Sequence, residues 1–223
     1  MVKTSPFFEK SSSRSIGILG GTFNPPHLGH LRFAEEVACS HGLSRIFFIP
    51  SFIPPHKTSP DIAPPLHRME MTRLACMDNP RFEASDLEIS LPGPSYTINT
   101  LTSFSRAEYG DMYFIMGTDC LKEIRGWKDY EKLFFVSNFI IVERPHVEFS
   151  TAWAEVPDAI RDQFHFDGEI YRSHTTKLIP SRVRGLEISS TMIRHLMKEG
   201  KSIRYLVTES VHSYITEHRL YRN

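Results

Sequence analysis

Short apolar runs alternate along the chain with longer segments whose apolar residues recur at helical spacing. The apolar runs predict strands at residues 15–19, 45–50, 82–84, 112–116, 139–142 and 177–179. The periodic segments predict a helix from about residue 31 to a stop at Gly42, and helices at residues 66–77, 96–109, 191–198 and 207–218. Strands that alternate with helices in this way form βαβ units, so we predict an α/β fold with a doubly wound, mostly parallel sheet.

The pattern contains no internal repeat and no linker long enough to divide the chain. We therefore expect one domain over residues 15–223, preceded by a Ser-rich, disordered leader at residues 1–14. Residues 146–167 are polar, aromatic and partly helical in pattern, which suggests a surface insertion or a lid.

Composition narrows the class of protein. Among 223 residues, 40% are hydrophobic, and 26 Lys and Arg balance 26 Asp and Glu, so the chain is a globular protein without the basic excess typical of a nucleic-acid binder. Three scattered Cys indicate a reducing compartment. The chain has no apolar run near the ~20 residues that span a bilayer and no apolar secretory signal. These features favour a cytoplasmic protein that binds neither nucleic acid nor membrane.

The segment from residue 20 to residue 30 carries the most informative chemistry. It reads GGTFNPPHLGH, between the first predicted strand and the first predicted helix. Ligands of open α/β sheets bind beyond the carboxyl ends of strands, and a helix N-terminus attracts anions. The predicted phosphate-binding residues of this segment are Gly20, Gly21, Thr22, Phe23 and Gly29. We expect Gly29 to leave room for a phosphate against the backbone.

His27 and His30 are three residues apart, so at a helix start both imidazoles can face the same side. Two imidazoles that donate to phosphate oxygens would stabilise the charge that builds during in-line displacement at phosphorus. The alternative is a plain strand–helix connection with two surface histidines, but the flanking glycines, prolines and predicted elements favour the functional interpretation.

A second candidate segment precedes the helix predicted at residues 191–198. Its hydroxyl groups and free helix N–H groups suit an anion, and an arginine follows one turn later. The candidates are Ile188, Ser189, Ser190, Thr191 and Arg194. Taken alone, this segment is better explained as a simple capped helix, and only its occurrence together with the first segment favours the functional interpretation.

Together the two segments resemble the nucleotidyltransferase superfamily that is marked by an HxGH motif, whose adenylyltransferases carry an ISSTxxR segment as a triphosphate clamp. The glycine spacing fits neither a dinucleotide-binding GxGxxG loop nor a Walker A loop. Five further elements occur in the order seen in bacterial nicotinate-nucleotide adenylyltransferases: PPHK at 54–57, PSYT at 94–97, GTD at 117–119, Trp127, and RP at 144–145. The resemblance extends from residue 16 to about residue 221 and implies a Rossmann-like nucleotidyltransferase fold.

The resemblance also implies roles for individual residues. Those expected at the acceptor nucleotide are Asn24, Lys57, Tyr96, Thr97 and Trp127, and those expected at ATP are Gly117, Asp119 and Arg144. Trp127 would stack on the pyridine ring. The chain departs from many family members at Asn24, where they have Asp, so no metal role is assigned there.

The implied reaction is transfer of the adenylyl group of ATP to nicotinate mononucleotide, which gives deamido-NAD and pyrophosphate, with His27, His30 and Arg194 as the catalytic residues. Mg²⁺ would arrive with ATP, since the sequence shows no carboxylate cluster for a dedicated metal site. Nicotinamide mononucleotide and phosphopantetheine remain alternative acceptors, and a nucleotide-binding regulator without turnover remains an alternative class. Assembly into a homo-oligomer is left open.

Overall fold

The computed structural model describes residues 15–54, 61–91, 93–105, 109–145 and 147–222. Its strands are β1 (Ile16–Gly21), β2 (Arg45–Pro50), β3 (Phe82–Ala84), β4 (Met112–Gly117), β5 (Asn138–Val142), β6 (His165–Phe166), β7 (Tyr171–Arg172) and β8 (Lys177–Ser181). Its helices are α1 (Leu28–His41), α2 (Pro65–Cys76), α3 (Thr97–Ser105), α4 (Thr118–Lys122), α5 (Tyr130–Val136), α6 (Phe149–Ala154), α7 (Asp158–Arg161), α8 (Ser190–Lys198) and α9 (Glu209–Glu217).

The chain forms two compact units. Unit one contains the described residues up to Leu19 together with Gly42–Ser44 and Tyr96–Val183, and unit two contains Gly20–His41, Arg45–Ser95 and the described residues from Arg184 onward. The expectation of a single domain over residues 15–223 stays a prediction, and the predicted leader lies outside the described residues.

Parallel strands form the centre of unit one. β1 pairs with β4, β4 with β5, and β5 with β8, all in parallel register. Every residue of β4 is buried, as are four of the five residues of β5. Strands covered on both faces need apolar side chains throughout, which is why the sequence shows continuous apolar runs rather than alternation here.

An aromatic cluster holds the segment that follows β5 to unit one. The rings of Phe149 and Trp153 in α6 stack with centroids 5.9 Å apart, and Tyr171 in β7 lies 5.4 Å and 5.2 Å from them. Phe149 and Trp153 are buried. β6, β7 and β8 pair in antiparallel register. Phe149 and Trp153 are thus core residues of unit one, whereas Phe166 of the same segment is exposed. The expectation of a surface insertion or a lid stays a prediction.

Unit two contains the parallel pair β2 and β3 and a helical core. Buried residues of α2, α8, α9 and the segment before α9 pack together: Met71, Ala75, Ile193, Ile203, Val207, Val211 and Ile215. α9 begins two residues later than predicted because the Thr208 side chain caps it by accepting from the Val211 N–H at 3.3 Å.

The predicted α/β class with mostly parallel strands is confirmed.

Candidate active site

The two histidines of the HxGH segment cap the first helix. The His27 N–H donates to His30 Nδ1 at 3.2 Å, and the His30 N–H donates to His27 Nδ1 at 3.3 Å. His27 directly precedes α1 and His30 is its third residue, so this exchange has the geometry of a capping box in which imidazoles replace the usual hydroxyl and carboxylate. The three-residue spacing thus gives the His27 amide a partner at the helix start, while the His30 amide is shared between the His27 imidazole and the His27 carbonyl, the latter at 2.9 Å.

The same hydrogen bonds fix how the rings present their outer nitrogens. The imidazoles stack with centroids 3.6 Å apart and planes at 28°, which confirms that both face one side. Because each Nδ1 accepts a backbone N–H, the neutral ring carries its proton on Nε2. His27 is 6% exposed and His30 is half-buried. The two Nε2–H groups are therefore oriented by the start of α1.

Gly29 makes room for the His27 ring. A Cβ at this position would lie 2.9 Å from His27 Nδ1 and 3.3 Å from the Leu186 carbonyl oxygen. Any side chain here would push the imidazole off the helix start. The His27 ring and the Leu186 carbonyl line the space beside Gly29, and the predicted phosphate contact of Gly29 stays a prediction.

The loop before the histidines is tightly packed. Phe23 is 2% exposed and adopts φ 47°, and its ring meets the His30 ring edge-on at 5.1 Å. A Cβ at Gly21 would lie 3.1 Å from the Phe23 ring, so glycine there leaves the space that Phe23 fills. Gly20, at the end of β1, is exposed. The buried Phe23 ring thus packs against the His30 ring and helps to hold it in place.

The N-terminus of α8 contacts this loop directly. The Ser190 hydroxyl donates to the Pro25 carbonyl at 2.8 Å, and Arg194 Nη1 donates to the Asn24 carbonyl at 3.0 Å. Both contacts fall immediately before His27 in the chain. The two segments that the sequence singles out as candidates for binding phosphate are therefore in direct contact within unit two.

The remaining residues of the second segment have distinct positions. Ser189 caps α8 by accepting from the Met192 N–H at 3.1 Å, and Thr191 accepts from Arg194 Nη2 at 3.3 Å. Ile188 packs against the helical core of unit two. Arg194 Nε is buried and has no hydrogen-bond partner within the described part of the chain. The guanidinium is thus anchored at two of its nitrogens, and its third nitrogen, Nε, has no partner among the described residues.

Asn24 organises the loop with both ends of its amide. The side chain is 3% exposed; Oδ1 accepts from the Ala63 N–H at 3.0 Å and from the Tyr221 hydroxyl at 2.8 Å. Nδ2 donates to the Asp61 carbonyl at 2.9 Å. An aspartate would lack that donor, which explains an amide at this position. The geometry gives Asn24 a structural role, and the predicted acceptor contact stays a prediction.

Three residues expected at ATP meet in unit one. Arg144 Nε lies 3.8 Å from Asp119 Oδ1, and both side chains are about half exposed. A Cβ at Gly117 would lie 2.8 Å from Arg144 Nε and would collide with the Asp119 carboxylate. Because Gly117 at the end of β4 has no side chain, the Asp119 carboxylate and the Arg144 guanidinium can approach each other.

Sequence reasoning missed Thr118, which positions Arg144. Its buried hydroxyl accepts from the Arg144 N–H at 3.0 Å and donates to the Val147 carbonyl at 2.8 Å. The signal was present in the GTD triplet, whose central residue bears a hydroxyl directly after a buried strand.

The residues expected at the acceptor lie partly in unit one. Thr97 begins α3, Tyr96 precedes it, and the ammonium of Lys128 lies 4.6 Å from the centroid of the Tyr96 ring. Trp127 is half-buried, and its ring meets Phe114 edge-on at 6.2 Å. Lys128, beside Trp127, is a cation that sequence reasoning missed. Lys57 lies outside the described residues.

Neither a metal cluster nor a membrane span is found in the described part of the chain. There, no group of three or more His, Cys, Asp or Glu side chains could hold a metal ion. The Asp61 carboxylate, which lies beside the loop, pairs with Lys198 at 2.8 Å. No described helix combines the length and apolarity needed to cross a bilayer.

Fold and site together define a nucleotidyltransferase, and a family comparison agrees. The sequence model described as cytidylyltransferase-like matches residues 18–196, and the chain belongs to that family. Within it, the chain is similar to proteins named probable nicotinate-nucleotide adenylyltransferase. It is 43% identical to the one from Geobacter sulfurreducens over 209 residues, which cover 92% of this chain and 97% of the relative. It is 44% identical to the one from Geobacter metallireducens with the same coverage. The family resemblance read from the motifs is confirmed.

Solved structures confirm the fold. The nicotinic acid mononucleotide adenylyltransferase of Plasmodium falciparum, complexed with NaAD, aligns with a TM-score of 0.68 at 21% identity and covers 93% of this chain and 97% of its own. A putative nicotinate-nucleotide adenylyltransferase from Vibrio parahaemolyticus aligns with a TM-score of 0.61 at 20% identity, covering 94% and 96%. The predicted nucleotidyltransferase fold is therefore the observed one.

Proposed function

We propose that this protein transfers the adenylyl group of ATP to nicotinate mononucleotide and releases pyrophosphate. The observation that carries the proposal is the stacked imidazole pair at the start of α1, with Ser190 and Arg194 anchored to the two residues of the adjoining loop. The names of relatives at 43% and 44% identity favour nicotinate mononucleotide as the acceptor.

The geometry supports catalysis by positioning and by electrostatic stabilisation. The triphosphate of ATP lies over the N-termini of α1 and α8, where the helix dipoles favour an anion. The Nε2–H groups of His27 and His30 donate to oxygens of the α-phosphate, and Arg194 neutralises the β- and γ-phosphates. An oxygen of the acceptor phosphate bonds to the α-phosphorus as the bond from that phosphorus to the bridging oxygen breaks, and the electron pair leaves on pyrophosphate.

No general base is required, because the acceptor phosphate is already an anion at neutral pH. Mg²⁺ enters with ATP and is held by phosphate oxygens and water, as this ion commonly is. The amide at Asn24 and the pairing of Asp61 with Lys198 support this assignment, since neither supplies a carboxylate pair at the loop. The chemistry that the ion supplies when bound is neutralisation of the phosphates.

The roles of the remaining residues follow from the family resemblance. In this proposal ATP is bound by Gly117, Asp119 and Arg144. The acceptor is bound by Tyr96, Thr97, Trp127 and Lys57. Trp127 offers an aromatic face to the pyridine ring. A cytoplasmic location is part of the proposal, and the free thiols of Cys39, Cys76 and Cys120 support it.

An acceptor assay tests the proposal. The protein is incubated with Mg²⁺, ATP and one acceptor at a time, and pyrophosphate release is followed for nicotinate mononucleotide, nicotinamide mononucleotide and phosphopantetheine. The largest kcat/KM is expected with nicotinate mononucleotide. A larger value with another acceptor reassigns the substrate. ATP binding by calorimetry without pyrophosphate from any acceptor would favour a nucleotide-binding regulator instead.

A further inference from the structure

Arg68, in α2, is buried and makes four hydrogen bonds, all to backbone carbonyl oxygens. The side chain is 1% exposed. Nε donates to the Ala63 carbonyl at 2.9 Å, and Nη2 donates to the Phe52 carbonyl at 2.9 Å. Nη1 donates to two carbonyls, those of Thr22 at 3.0 Å and Ser51 at 2.5 Å. One guanidinium therefore ties together three separate stretches of backbone.

Those three stretches surround the loop that carries the histidines. Thr22 belongs to that loop, and Ser51 and Phe52 follow the carboxyl end of β2. Ala63 is joined to the same loop a second time, because its N–H donates to Asn24 Oδ1 at 3.0 Å. Displacement of Arg68 would release the loop on both sides of Phe23, which supports His30.

None of the ion pairs formed by the described residues includes Arg68, and its four hydrogen bonds all end on carbonyl oxygens. Burial lowers the pKa of the guanidinium, while Tyr221 and Glu88 act in the opposite direction. An arginine stays protonated at neutral pH even so. A buried cation without a carboxylate destabilises a free protein and becomes favourable when an anion binds nearby.

We propose that Arg68 is a positioning residue for the phosphates of the substrate: it fixes the Thr22 and Ser51 carbonyls so that His27 and His30 are correctly placed, and its buried charge attracts the triphosphate. This inference rests on the proposed function. Arginine is suited to the task because its planar fork can donate to four carbonyls at once, whereas a lysine ammonium has only three donors on one nitrogen.

The experiment compares Arg68→Lys, which keeps the charge, with Arg68→Gln, which removes the charge but keeps an amide donor. Met71→Ala is the matched control, because Met71 is fully buried in the same helix and packs in the core rather than against the loop. Folding of each variant is checked by circular dichroism and by thermal melting. Turnover is then measured at a temperature below every melting transition.

For Arg68→Lys we expect kcat to fall by about 100-fold, since misplacement of a catalytic group by about 1 Å has an effect of this order. Met71→Ala should lower the melting temperature and leave kcat within about twofold. For Arg68→Gln we expect, in addition, a KM for ATP that is raised at least about tenfold and depends less on salt. Methylguanidinium added to Arg68→Gln should restore part of the lost kcat.

An Arg68→Lys protein that is folded and turns over within about twofold of the original chain overturns the positioning role. If that variant does not fold, the same criterion applies to Arg68→Gln. Unchanged ATP affinity in folded Arg68→Gln, measured by calorimetry, overturns the charge role. The calorimetric measurement needs no turnover, so it separates failure of this inference from failure of the proposed acceptor reaction.

Discussion

The hydroxyl of Tyr221 donates to Asn24 Oδ1 at 2.8 Å and joins two positions that are 197 residues apart in the chain. Asn24 immediately precedes the Pro25 carbonyl that accepts from Ser190, and its own carbonyl accepts from Arg194. The loop before the catalytic histidines is therefore held from three directions by residues beyond position 189. This arrangement makes the C-terminal helices part of the support of the site.

Removal of the Tyr221 hydroxyl should weaken this support without opening the core. Tyr221→Phe keeps the ring and removes one buried hydrogen bond, which contributes about 1 kcal/mol to the free energy of unfolding. Urea denaturation measures the loss. Tyr205→Phe is the control, because Tyr205 is 88% exposed and its hydroxyl faces water. Equal midpoints for the two variants would contradict a stabilising role for the Tyr221 hydroxyl.

Two substitutions of His30 should separate its capping role from its catalytic role. His30→Asn retains a side-chain oxygen that can accept the His27 N–H, whereas His30→Ala retains neither the acceptor nor the Nε2–H donor. We expect kcat to fall by about 10²–10³-fold in both, with ATP affinity little changed. Stability should fall mainly in His30→Ala, by about 1 kcal/mol. An Asn variant with near-original turnover would remove His30 from the chemistry.

Gly29→Ala should damage the site although it favours the helix. The added Cβ would meet His27 Nδ1 at 2.9 Å and the Leu186 carbonyl at 3.3 Å, so the ring must move. Alanine gains up to about 1 kcal/mol of helix propensity over glycine, which offsets part of the strain. We expect kcat to fall at least about tenfold while the melting temperature changes little. Gly185→Ala, with open space around it, should leave both unchanged.

The stability of the fold should decline in alkali through Cys76. Burial raises the pKa of this thiol from 9.0 to about 12. The unfolded thiol therefore ionises first, so the stabilising contribution is complete below about pH 9 and is lost as the pH rises toward the folded value. The free energy of unfolding should fall by about 1.4 kcal/mol per pH unit from this group.

Urea denaturation at pH 8 and pH 10 tests this dependence. Cys76→Ala should show a smaller decrease between the two pH values than the original chain. Cys39→Ala, at an exposed position, should show the same decrease as the original chain. A slope in Cys76→Ala equal to that of the original chain would assign the alkaline loss to other groups.

Elements with a clear apolar pattern could be predicted from sequence, and short elements could not. β2 and β3 have the predicted bounds. β2 is a compact apolar run, whereas β3 is a three-residue alternation of Phe, Glu and Ala. α4 and α5 were missed since five and seven residues are too few to show helical periodicity. The two-residue strands β6 and β7 depend on pairing, β6 with β7 and β7 with β8, and no local pattern predicts such pairing.

Some residues of the candidate site could likewise be predicted from the sequence, and others could not. The glycines and histidines of the first loop point to phosphate chemistry because they occur together with prolines between a predicted strand and a predicted helix. Arg68 could not be found from sequence, since its partners are backbone carbonyls and these leave no trace in residue types. Asn24 was placed with the acceptor by resemblance, and only the structure reveals that both ends of its amide are already used.

The reciprocal bonds between His27 and His30 have a consequence for observing the site. The atoms that close the first turn of α1 belong to the same rings that would hold the α-phosphate, so occupancy of Nε2 and closure of that turn are coupled. Local opening exposes an amide to solvent exchange. The two histidine amides are therefore built-in reporters: deuterium uptake at these N–H groups should slow when nucleotide restrains the rings, with no label attached to the protein.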